Sequence, residues 1–185
     1  LAGAPLEALD VSRCLQVRNL ALGAIAQIAG LRRLNVTNCP ITIADLGVLS
    51  VLPALAGLET SALFDMKPGP HSPARRTGVI KGFFPWVKRL RLSGCMYLLE
   101  DENIAAEMLK SFPEVTHLDV SGCAVARDYS RAHNIFDGIG RELRKLKSIN
   151  ITHCDVAAVT MQWFMMCQPG MESVVVDQQF PLEAF

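Results

Sequence analysis

Net charge is missing from this chain: 18 basic and 18 acidic side chains cancel, which argues against a surface built for general polyanion binding. A long apolar run is missing too. The most apolar stretch, Ala44 to Leu58, is broken by Asp45, Gly47, Ser50, Pro53 and Gly57 and is too short to cross a bilayer as a helix. The six cysteines include no C-x-x-C pair, the usual chelating unit of a structural zinc site. His153 and Cys154 are sequence neighbours, so their side chains are expected to diverge. Histidine is sparse, with four in all. His71 falls in a proline-rich stretch and His133 in a charged one, while His117 and His153 lie beside Asp119 and Thr152. A catalytic centre needs nucleophile, base and orienting group to converge. No such set is visible, so no catalytic residue, metal site or cofactor is expected.

What the sequence does have is a phrase repeated along its 185 residues. It runs apolar, two variable residues, apolar, one variable, apolar, two variables, cysteine. The copies are LEALDVSRC ending at Cys14, LRRLNVTNC at Cys39, VKRLRLSGC at Cys95, VTHLDVSGC at Cys123 and LKSINITHC at Cys154, with degenerate copies from Leu55 and Met171. Starts at Leu6, Leu31, Leu55, Val87, Val115, Leu146 and Met171 give spacings of 25, 24, 32, 28, 31 and 25. Five of the six cysteines thus occupy one slot, and the repeat, not a disulfide framework, accounts for their number.

A spacing near 25 that carries L-x-x-L-x-L and then Cys resembles the cysteine-containing class of leucine-rich repeats, best known from the recognition domains of F-box ubiquitin-ligase subunits. The resemblance covers Leu6 to about Gln179. It implies an α/β solenoid of about seven repeats, with short parallel strands on a concave face and helices or irregular returns on a convex one. In this class the cysteine turns inward and packs as a small hydrophobe with a weak donor toward loop backbone. Cys14, Cys39, Cys95, Cys123 and Cys154 are therefore expected to form a structural ladder in a reducing compartment: cytoplasm, nucleus or an organelle interior. An F-box is expected ahead of such repeats, and none is visible in this sequence. The chain opens on Leu1 and neither end reads as a polar cap, so the expectation is a piece of a longer protein or one capped by a partner.

Apolar spacing of three and four predicts returning helices over Leu20 to Ala29, Ile43 to Leu52, Ile104 to Phe112, Ile135 to Leu143 and Val159 to Cys167. Two returns are long. Residues 64 to 86 carry Pro68, Pro70, Pro73 and Pro85 with Gly69, Gly78 and Gly82, too many breakers for one helix. Ala124 to Lys145 is rich in charge but can hold a helix. Cys167, outside the repeat slot, follows an apolar helix and is expected to be buried and unreactive.

Strand alternation points the variable residues between the apolar ones to the concave surface. One row reads Asp10, Asn35, Glu59, Arg91, Asp119, Asn150 and Val175; the other Ala8, Arg33, Gly57, Arg89, His117, Ser148 and Ser173. From these, Arg33, Asn35, Glu59, Arg89, Arg91, His117, Asp119 and Asn150 are the candidate partner-binding residues. The competing reading is a solvated face whose charges pair among themselves.

A basic belt crosses the middle, with no acid between Asp65 and Glu100 but Lys67, Arg75, Arg76, Lys81, Lys88, Arg89 and Arg91. Interleaved Phe83, Phe84 and Trp86 fit either base stacking or, as the favoured reading, anchorage of the return against the core. Ser72 and Pro73 ahead of Arg75 resemble a proline-directed kinase site. The expected function is non-catalytic protein–protein interaction, with substrate or adaptor recognition as in F-box subunits implied by the resemblance. The alternatives are a scaffold subunit of a larger complex, and RNA or phospho-ligand binding through the belt.

Overall fold

The fold is seen in a computed structural model that describes residues 5–42, 44–61, 82–95, 99, 102–125 and 129–177. Most of the 64–86 insert, including His71, Ser72, Pro73 and the cations Lys67, Arg75, Arg76 and Lys81, lies outside the described residues.

Each copy of the phrase yields one strand: β1 Ala8–Asp10, β2 Arg33–Asn35, β3 Gly57–Ser61, β4 Arg89–Ser93, β5 His117–Asp119, β6 Ser148–Asn150 and β7 Ser173–Val175. The seven form one sheet in chain order with every neighbouring pair parallel. Pairing follows the phrase without slippage, so Leu9, Leu34, Leu58, Leu90, Leu118, Ile149 and Val174 stand side by side. Register is fixed because a one-residue slip would turn these apolar side chains to the opposite face.

Between strands the chain forms α1 (Asn19–Ile25), a 3-10 helix (Ala44–Val51), α2 (Glu102–Leu109), α3 (Tyr129–Glu142) and α4 (Ala158–Cys167). The helix expected over Ile43 to Leu52 is thus a 3-10 helix. Its repeat has the shortest spacing, and 3-10 geometry covers more length per residue, about 2.0 Å against 1.5 Å. Its start is fixed by reciprocal bonds: Thr42 N–H and Oγ1 each donate to Asp45 Oδ2 at 2.8 Å, and Asp45 N–H donates to Thr42 Oγ1 at 3.2 Å. That is the capping-box arrangement.

The α1 helix packs on the 3-10 helix, α2 on α3 and α3 on α4. The core lies between this layer and the sheet, and Phe84, Phe112, Phe136 and Phe164 are its largest fully buried side chains. Phe84 stacks on Phe112 with centroids 4.8 Å apart, and Phe136 meets Phe164 edge-on at 5.5 Å.

Three recurring backbone devices bend the chain into and out of each strand. Before the strand, the first apolar residue donates its N–H to the carbonyl three residues back, as in Leu31 to Ile28 at 2.9 Å, Val115 to Phe112 at 3.2 Å and Leu146 to Leu143 at 3.0 Å. After the strand, the cysteine N–H closes a turn onto the third apolar carbonyl, as in Cys39 to Val36, Cys123 to Val120 and Cys154 to Ile151, each at 3.1 Å. The residue ahead of each repeat cysteine is left-handed: φ is 62° at Arg13, 58° at Asn38, 71° at Gly94, 68° at Gly122 and 59° at His153. A turn with positive φ at its third residue favours Gly or Asn, and three of the five slots comply.

Candidate functional site

The sheet face turned away from the helices is an open depression of about 970 Å³, lined from Ala8 on β1 to Asn150 on β6. Parallel register sets both predicted rows across it, with Arg33, Gly57, Arg89, His117 and Ser148 in one and Asp10, Asn35, Glu59, Arg91, Asp119 and Asn150 in the other. All eight candidate partner-binding residues are therefore on one face. They are not equivalent.

The second row is largely engaged within the fold. Asp10 Oδ1 accepts from Ser12 N–H at 2.8 Å, Asn35 Oδ1 from Thr37 N–H at 3.0 Å, Asp119 Oδ1 from Ser121 N–H at 2.9 Å and Asn150 Oδ1 from Thr152 N–H at 3.0 Å. These are Asx turns, in which a short polar side chain takes the backbone donor two residues on. Thr152 Oγ1 also donates to Asn150 Oδ1 at 2.9 Å, and Asn35 Nδ2 donates to Asp10 Oδ2 at 3.0 Å. The hydrogen bonds from Ser12 hold the Asp10 carboxyl below the usual carboxylate range. In the middle of the row Arg91 reaches Glu59 at 3.7 Å and Asp119 at 3.2 Å. The reading of a face whose charges pair among themselves thus describes this row. The motif Asp or Asn, apolar, Ser or Thr recurs as Asp10-Val11-Ser12, Asn35-Val36-Thr37, Asp119-Val120-Ser121 and Asn150-Ile151-Thr152. The motif is legible in the sequence, where strand alternation alone marks its first residue only as a surface group.

The first row differs. Arg33, Arg89 and His117 are exposed, and among the described residues Arg33 and Arg89 form no ion pair. Thr116 Oγ1, which donates to the Lys88 carbonyl at 3.1 Å, lies 2.9 Å from His117 Nδ1. Lys88 is a third exposed cation on the depression that forms no ion pair among the described residues. Ser173 Oγ donates to Ser148 Oγ at 2.8 Å and closes the row.

The cysteine ladder is built by an inter-repeat bond. Cys39 Sγ donates to Val11 O at 3.1 Å, Cys123 to Leu92 O at 3.3 Å and Cys154 to Val120 O at 3.1 Å. In each case the acceptor is the third apolar residue of the preceding repeat. Cys39, Cys95 and Cys123 are buried and Cys154 half-buried. Burial raises the Cys39 thiol pKa and pushes Cys154 up to about 11. The Cys95 thiol, hydrogen-bonded to Cys123, raises the Cys123 value, and burial adds to this. Cys14 departs from the expected inward packing: it is exposed, and no described strand precedes β1 to offer it a carbonyl.

Two further expectations are corrected. Cys167 is exposed: α4 has no polar stripe to turn outward, so apolar groups line its outer side as well, and Met166 beside it is 79% exposed. Of the aromatics at the end of the insert, Phe84 alone anchors the return, with Phe83 57% and Trp86 40% exposed. His153 stays outside, its Nδ1 3.3 Å from Asp177 Oδ1, while Cys154 turns in. On the helical side a cavity of about 360 Å³ lies between α3 and α4, over Phe136, Trp163 and Phe164. His133 rests on Trp163 with ring centroids 3.7 Å apart.

Among the described residues no helix is long and apolar enough to cross a membrane, and no group of three or more His, Cys, Asp or Glu is placed to hold a metal ion. No protein-family model matches the chain, and no curated protein sequence does either.

Proposed function

We propose that the chain is a leucine-rich-repeat solenoid of the cysteine-containing class and acts as a non-catalytic protein-recognition module, its partner seated on the open sheet face. One observation carries this reading: the depression of about 970 Å³ on that face holds exposed Arg33 and Arg89 without ion-pair partners among the described residues. Polar groups that served only solubility would not need a long concave sheet to display them. The repeat register, the thiol-to-carbonyl ladder and the exposed face together support substrate or adaptor recognition, as in F-box ubiquitin-ligase subunits, in a reducing compartment. A scaffold role in a larger complex is the second reading, favoured by exposed apolar groups on the returns: Leu15 at 69%, Leu20 at 92% and Val51 at 65%.

Photo-crosslinking tests the face. A benzophenone amino acid placed at His117 on β5 is expected to capture a defined partner at fixed stoichiometry, and the same probe at Arg131 on α3 is not. Ligase-core subunits among the products would support the adaptor reading. Capture from α3 alone would overturn the assignment to the sheet face.

A further inference from the structure

The first row of the sheet face contains a gap that the fold does not require. Gly57 sits in register between Arg33 and Arg89. It lies in strand β3 with no left-handed φ, and a Cβ added there would meet only Arg33 Cγ, at an ordinary 3.5 Å. Neither backbone conformation nor close packing therefore calls for glycine here. What glycine provides is an empty position between two arginines whose Cα atoms stand roughly 10 Å apart, two strand spacings. Lys88 precedes Arg89 on the same side of the depression.

The surrounding charges explain why this point stays electropositive. On the face, Glu59 and Asp119 are drawn to Arg91 at 3.7 and 3.2 Å, and Asp10 accepts from Ser12 and Asn35. Arg32 meets Glu7 at 3.6 Å, and Lys147 meets Glu172 at 2.7 Å. After these pairings the cations on the face without an ion pair among the described residues are Arg33, Lys88 and Arg89, gathered around Gly57. Arginines on the two strands that flank one open position match a compact dianion with several acceptor oxygens better than an extended acidic segment, whose charges would be spaced along a chain.

We propose that the Gly57 gap is a subsite for a phosphorylated side chain of the protein partner, with Arg33 and Arg89 clamping the phosphoryl oxygens from either side and Lys88 adding charge. The inference rests on the assignment of the sheet face as the recognition surface and names the chemistry that surface selects. The partner backbone would then run across the strands toward His117.

The test uses the whole chain and the peptide acetyl-Gly-Gly-phosphoserine-Gly-Gly-amide, compared with its Ser and Glu counterparts, followed by NMR of arginine Nε–H and backbone amides. Saturable shifts at Arg33 and Arg89 Nε–H and at the Gly57 amide are expected with the phosphopeptide. The Ser peptide should leave them unmoved, and the Glu peptide should bind about tenfold more weakly. Arg89→Gln is expected to weaken the phosphopeptide about tenfold, and Gly57→Val, which fills the gap with a strand-favouring side chain, by a similar factor. Equal response to the Glu and phosphoserine peptides would overturn the phosphoryl assignment. So would no response to the phosphopeptide, or a response of these residues to oligouridylate alone. In each of those cases crosslinking at His117 still decides whether the face is the recognition surface.

Discussion

The two polar rows on the exposed sheet face share strands, register and solvent, yet one is largely occupied by the fold while the arginines of the other form no ion pair among the described residues. In the row through Asp10, Asn35, Asp119 and Asn150, side-chain oxygens take backbone donors that the strands leave behind as the chain turns away. In the row through Arg33, Gly57, Arg89 and His117, described groups of the fold leave both arginines without an ion pair. The difference lies in side-chain length. A carboxylate or amide one or two bonds from the backbone can reach the N–H two residues on, whereas a guanidinium offers only donors and reaches away from its own strand. Position in the phrase thus separates groups that shape the turn from charged groups left exposed without an ion pair among the described residues.

The largest effect is expected below both rows. Leu118 is 2% exposed in the column beneath His117 and Asp119, and Leu118→Ala should cost about 2–5 kcal/mol of stability in a denaturant titration. A loss no greater than that of a surface change would mean the rows do not share one packed support. Next comes the turn-forming row. Asn150→Ala removes the acceptor of Thr152 N–H and is expected to cost about 1–2 kcal/mol.

A similar magnitude with opposite sign is expected at Thr60. It occupies the third apolar slot of its repeat, is fully buried, and its hydroxyl has no hydrogen-bond partner among the described residues. Thr60→Val should stabilise the chain by about 1 kcal/mol, and a loss of stability would show that the hydroxyl has a role there. Asp10 sharpens the comparison through pH. Its folded pKa is lowered, by Ser12 first. The stability it adds is therefore present above the unfolded carboxylate value of about 3.9 and is lost as pH falls through the lower folded value. Asp10→Asn keeps an acceptor and should flatten that part of the acid limb; an unchanged acid profile would remove Asp10 from the account. The smallest effects on stability belong to the arginine row, where Arg33→Gln and Arg89→Gln are each expected to stay within about 0.5 kcal/mol.

The phrase located all seven strands because an apolar residue every second position and a cysteine at the end are constraints of burial, and burial leaves its mark in composition. It also placed the eight candidate residues on one face, since strand alternation decides that without further information. What it did not assign was the work of the polar positions. The left-handed residue before each cysteine is Arg13, Asn38, Gly94, Gly122 or His153, and only the Gly and Asn copies signal their conformation. Cys14 shares its slot with Cys39 and Cys123 in the sequence, but a thiol-to-carbonyl bond needs a neighbouring strand in space, and among the described residues none precedes β1. Thiol labelling should expose the distinction, with Cys14 and Cys167 reacting rapidly and Cys39, Cys95 and Cys123 only on unfolding.

The division of labour between the rows is tested most directly by measuring stability and phosphopeptide affinity together for Asn150→Ala and for the Arg33→Gln/Arg89→Gln pair. We expect Asn150→Ala to lower stability with affinity unchanged, and the arginine pair to abolish binding with stability unchanged. If both properties moved together in both variants, the two rows would be one functional unit and the separation drawn between them would be wrong.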